Sequence, residues 1–97
     1  MFIVTEIISD RTKREKDGTV IFDNQGWLHF CKSEESLNKK LKEIKKEYEN
    51  KNYKIDDSGD NWIRYISPDS NEKYERLAII QWYDTKKIDD ECVLEIC

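Results

Sequence analysis

The stretch DNQGWLHFC, residues 23 to 31, places an imidazole and a thiol, His29 and Cys31, two residues apart. On one strand face their backbones stand about 7 Å apart. A nucleophile and its base need heavy-atom contact near 3 Å, and no third group is in view to orient the imidazole. No catalytic residue is therefore expected, and the chain is not expected to be an enzyme. Zinc is the other chemistry these types could do. His29, Cys31, Cys92 and Cys97 make up the right number of ligands. The spacings H-x-C and C-x4-C lack the short-loop knuckle pattern of structural zinc sites, so no metal and no other cofactor is expected.

Other chemical motifs fare no better. DDSGDN (56–61) has its glycine at the fourth position rather than the sixth of a calcium loop, and a hairpin turn explains it. The three glycines are isolated, which leaves no phosphate-cradling loop. With 21 acidic residues in 97, paired carboxylates carry no signal.

Recognition is the remaining chemistry, and it depends on which side chains share a sheet face. Parity within each expected strand puts Leu28 with Phe30, Ile63 with Tyr65, and Leu77 with Ile79 and Tyr83. These sets are expected to form the core. The complementary sets are Trp27, His29 and Cys31; Trp62, Arg64 and Ile66; Tyr74, Arg76, Ala78, Ile80 and Trp82. All three tryptophans fall there. Trp, Tyr and Arg dominate binding hot spots, and arginine beside aromatic rings suits an anionic planar ligand. Trp27, His29, Trp62, Arg64, Arg76 and Trp82 are thus the candidate binding residues. The plainer alternative is that the tryptophans form the core and the faces are exchanged.

The elements that must position them follow from pattern. FIVTEIIS (2–9) reads as a buried strand interrupted only by Glu6. A charged loop, DRTKREKDG, comes next. TVIF and WLHFC flank DNQG, whose Asp and Gly suit a hairpin turn. The one clear helix spans 33–52: Ser33 is a good N-cap, Glu34 and Glu35 suit the positive end of the dipole, and Leu37, Leu41, Ile44 and Tyr48 form a single apolar stripe. NYKID and NWIRYIS flank a second hairpin, YERLAIIQWYD (74–84) is the longest strand, and CVLEIC is a short edge strand. The expected fold is α+β: a single antiparallel sheet of about five to six strands, in the order β-β-β-α-β-β-β, with one helix packed on one face. A length of 97 residues sets one domain over 1–97.

Charge bounds the partners. The net charge is −4, with residues 1 to 50 carrying ten Lys/Arg against ten Asp/Glu and residues 51 to 97 seven against eleven. Such a chain is a poor match for duplex DNA, where phosphate neutralisation dominates affinity. No apolar run reaches bilayer length, and FIVTEIISD lacks the basic start of a secretory leader, so neither membrane nor export is expected. Three cysteines make a poor disulfide framework, which points to a reducing cytoplasm. With 39% charged and 37% apolar residues the core is small, and a homodimer would bury more surface.

In size and in its Lys/Glu/Asn-rich composition, the chain resembles the short accessory proteins encoded by phages of AT-rich Gram-positive bacteria. Inhibitors of host defence, the anti-CRISPR class among them, are a large part of that group. The resemblance implies a non-catalytic inhibitor that docks onto a larger host protein. The expected alternatives are sequestration of an anionic nucleotide signal and a structural or oligomeric accessory role.

Overall fold

In the computed structural model, which describes residues 1–14 and 16–86, five strands and one helix follow in the order β1 (Phe2–Lys13), β2 (Val20–Cys31), α1 (Glu34–Asn50), β3 (Lys54–Gly59), β4 (Trp62–Ile66) and β5 (Tyr74–Asp84). The strands form one antiparallel sheet, in the order β2-β1-β5-β4-β3. The α+β architecture is the expected one. The segment CVLEIC and its two cysteines lie outside the described residues.

The largest departure lies before the helix. Two strands stand where three were expected, because DNQG is extended. Asp23, Asn24, Gln25 and Gly26 face Asp10, Ser9, Ile8 and Ile7 on β1. The chain turns instead at residues 14–19. Gly18 adopts φ +73, the left-handed conformation that glycine enters without a Cβ penalty. Its N–H donates to Arg14 O, Arg14 N–H donates to Thr19 O, and the Asp17 carboxylate accepts from Thr19 N–H. The residues expected to form a charged loop are therefore the outer half of a long hairpin. A ladder on each side of β1, running to its end, outweighs the weak strand propensity of Asp, Asn and Gly.

The helix forms where its signals lie. Ser33 and Ser36 build a reciprocal capping box, with Ser36 N–H donating to the Ser33 hydroxyl and Ser33 N–H to that of Ser36. Asn52, at φ 63, takes the left-handed position that ends the segment. Leu37, Ile44 and Tyr48 are buried, and Leu41 packs against the same core.

Beneath the helix lie Val4, Cys31, Tyr65, Ala78 and Ile80, with Phe2, Ile8, Ile63 and Trp82 around them. Tyr65 stacks on Tyr48 at 5.0 Å between ring centroids. Its hydroxyl is buried without a hydrogen-bond partner among the described residues. The shortest dimension of the molecule is 19 Å, the thickness of one sheet and one helix.

Two stability measurements test this core. Ile80→Ala, which empties a site 1% exposed, is expected to cost about 2–5 kcal/mol. Tyr65→Phe removes the unpartnered hydroxyl and is expected to be neutral or to stabilise by roughly 1 kcal/mol. Urea denaturation of both variants reads the difference directly; a large loss in Tyr65→Phe would show that the hydroxyl is bonded.

Candidate functional sites: a polar groove and an open sheet face

The registers assign every strand residue to a face. Val4 stands between His29 on β2 and Trp82 on β5, and Ala78 pairs with Tyr65 on β4. Trp27, His29, Cys31, Ile63, Tyr65, Arg76, Ala78, Ile80 and Trp82 therefore share the helix side. Leu28, Phe30, Trp62, Arg64, Ile66, Leu77, Ile79 and Tyr83 lie on the opposite side.

This corrects the expected grouping. Ile63 and Tyr65 are in the core as expected, whereas Leu28, Phe30, Leu77, Ile79 and Tyr83 point away from the helix. The candidate set is divided: Trp27, His29, Arg76 and Trp82 lie on the helix side, and Trp62 and Arg64 on the other. No single pocket holds Trp27, Trp62, Arg64, Arg76 and Trp82. The cause is register. Strands β2 and β5 carry apolar residues on both faces, so parity within one strand cannot fix which face meets the helix.

On the helix side, three of the expected residues do come together. A groove of about 380 Å³ beside the C-terminal half of α1 is lined by Glu6, Trp27, His29, Tyr48, Lys51 and Arg76, among others. Glu6 is its centre. One carboxylate oxygen accepts from the Tyr48 hydroxyl at 2.7 Å, and the other lies 3.2 Å from His29 Nε2. A carboxylate whose side chain is only 13% exposed is thus held by two partners. Burial, then the hydrogen bond to Glu6, pushes the Tyr48 phenol well above its usual range. His29 is a partner of Glu6 rather than of Cys31, which is buried.

Arg76 lies directly across from Asp10 and grips it with two bonds, Nε to Oδ1 at 2.7 Å and Nη2 to Oδ2 at 3.0 Å. The Arg76 guanidinium holds the Asp10 carboxyl below the usual carboxylate range. Lys51 bonds Glu47 at 3.1 Å and sits 5.9 Å over the Tyr48 ring. The guanidinium and the ammonium that line the groove thus both have carboxylate partners within the fold. Arg64, on the far face, is likewise bonded to Asp56 at 2.7 Å. Among the described residues no cluster of three or more His, Cys, Asp or Glu side chains could hold a metal ion.

The opposite face is different in kind. Across it run the rows Phe30–Ile3–Tyr83, Leu28–Thr5–Gln81–Trp62 and Ile7–Ile79–Arg64. Phe30 is 64% exposed, Leu28 62%, Phe22 64% and Ile7 39%. Trp62 lies against its cross-strand neighbour Gly59, where a Cβ would run into the indole. No described residue forms a layer over this face. Glu6 and Asp10 were not among the expected site residues. The one signal for Glu6 was an acid alone in a β-branched run, and nothing local pairs Asp10 with Arg76.

Compared with models of protein families, with curated proteins and with solved structures, the chain has no match. Among the described residues no helix is long and apolar enough to cross a membrane.

The two networks make stability depend on pH at both ends. The Asp10 pKa is lowered by folding, so its contribution is complete above the unfolded value near 4 and is lost as pH falls through the folded one. Asp10→Asn is therefore expected to be less stable than the parent at pH 7 and to converge with it in acid. Tyr48 has a raised pKa, so its contribution holds below about pH 10 and is lost as pH rises beyond it. Tyr48→Phe is expected to flatten the alkaline limb. Urea midpoints across pH check both signs, and parallel curves for parent and variant would contradict them.

Proposed function

We propose that the protein is a non-catalytic binding protein that docks its open sheet face onto a larger protein. The observation that carries this reading is the set of large apolar side chains clustered on that face around Ile3, Ile7 and Ile79, with Leu28 and Phe30 each more than 60% exposed. Isolated apolar residues on a surface need no explanation, but a contiguous patch on one face marks an interaction site. Five strands spaced about 4.8 Å apart give the face a projected area on the order of 500 Å². Trp62, Tyr83 and Arg64 on the same face are of the types that dominate binding energy.

In its fuller form the reading is inhibition: the protein occludes a working surface of a host defence protein in the cytoplasm, as the resemblance to phage accessory proteins implies. Occlusion needs no catalytic group, only area, shape and a slow off-rate.

The test uses Ile7→Lys/Ile79→Glu, which sets an opposite-charge pair across β1 and β5 on the open face. Tagged wild-type protein, expressed in the cells that carry this sequence, is expected to retain a partner at fixed stoichiometry. The double variant, with unchanged circular dichroism, is expected to lose it, with Kd raised on the order of a hundredfold or more. Retention of the same partner by the folded double variant would remove this reading.

A further inference from the structure

The two edges of the sheet are built differently. Edge strand β3, KIDDSG, is six residues long, charged at Lys54, Asp56 and Asp57, and bulged between Ile55 and Asp57. Short length, charge and a bulge are the devices that keep an edge from pairing. Edge strand β2 is neither short nor bulged and carries a single carboxylate, Asp23. It runs twelve residues, has no lysine, and is exposed along nearly its whole length.

The backbone groups of β2 that pair with no described strand can be named. Thr85 N–H donates to Met1 O and Lys13 N–H to Lys73 O, so odd-numbered residues of β1 bond towards β5. Alternation sends the even-numbered ones towards β2. There they meet odd-numbered partners, in step with the Arg14–Thr19 bond that starts the ladder. The outward N–H and C=O groups of β2 therefore belong to Val20, Phe22, Asn24, Gly26, Leu28 and Phe30.

The side chains of these six residues form a near-palindrome. Apolar Val20 and Phe22 lie at one end, Leu28 and Phe30 at the other, and Asn24 and Gly26 between them. On its own sheet Phe22 has Arg11 and then Glu75 as lateral neighbours, which leaves an exposed aromatic ring beside charges.

We propose that β2 pairs antiparallel with β2 of a second copy of this chain, about a twofold axis at Gln25, joining two five-stranded sheets into one. In this register Phe22 faces the partner's Leu28, Val20 the partner's Phe30, and Asn24 the partner's Gly26. About twelve backbone hydrogen bonds form from groups that have no ladder partner among the described residues. Asp23 meets the partner's Trp27, so no carboxylate opposes another. Residues of like parity pair, so both helices lie on one side and both open faces merge on the other. The N-terminal half of α1 flanks the Cys31 end of β2, so the twofold carries the two helix N-termini to opposite ends of the seam. The occupant is a second copy because the order of side chains is complementary to itself. The inference does not rest on the docking reading, which concerns the face rather than the edge.

Sedimentation of the full chain across a micromolar concentration series is the test. Wild type is expected to reach dimer mass. Asn24→Pro removes an outward N–H and leaves the β1 ladder intact, so it is expected to fold and remain monomeric, with dimer affinity reduced on the order of a hundredfold. Phe22→Lys is expected to weaken the dimer in the same way. Phe22→Lys/Leu28→Glu is expected to restore it, because each lysine then faces a glutamate across the seam. A wild type that stays monomeric throughout would overturn the proposal. So would a dimer that survives Asn24→Pro, or a double variant no tighter than Phe22→Lys.

Discussion

A 17-residue helix is about 26 Å long and about 10 Å across, whereas a five-stranded sheet is about 24 Å wide and has two faces. One helix can cover at most part of one of them. Every other feature of this chain answers to that inequality. The covered face holds the core around Val4, Tyr48, Tyr65 and Ile80, where side chains reach near-complete burial. The uncovered face keeps Ile, Leu and Phe in positions that hydrophobic burial alone would fill with polar residues. In a chain that is 39% charged, apolar residues that no described residue covers are the feature on which the proposed docking reading rests.

The polar groove shows how the covered face is held in register. Glu6 sits between Trp27 and Ile80 in the sheet, where an unpaired carboxylate would be costly. The Tyr48 hydroxyl reaches it from the last turns of the helix and His29 from the neighbouring strand. This arrangement links α1, β1 and β2 through one side chain. Further along the hairpin, Arg76 and Asp10 do the same for β1 and β5. The only histidine of the chain thus lies within hydrogen-bond reach of Glu6 rather than of a thiol.

Local signals were legible in the sequence where they decide locally. The apolar stripe at Leu37, Leu41, Ile44 and Tyr48, the Ser33 cap and the strand over 74–84 all stand as expected. What failed was non-local. DNQG has the composition of a turn, yet pairing with the full length of β1 keeps it extended. Strand β5 offers Leu77 and Ile79 on one face and Ala78 and Ile80 on the other, so only its register with β1 and β4 reveals which pair meets the helix. With β2 and β5 on the other face from the one parity suggests, the six candidate residues lie on two faces of the sheet rather than one.

The central claim is that β2 is one continuous strand, bonded to β1 through its odd-numbered residues and keeping its even-numbered edge for a partner. Amide hydrogen exchange resolved along β2 tests this most directly. The account predicts steady protection at Ile21, Asp23, Gln25 and Trp27, and protection at Phe22, Asn24, Gly26 and Leu28 that rises with protein concentration. Fast exchange across residues 23–26 at every concentration, as in a solvated turn, would contradict it.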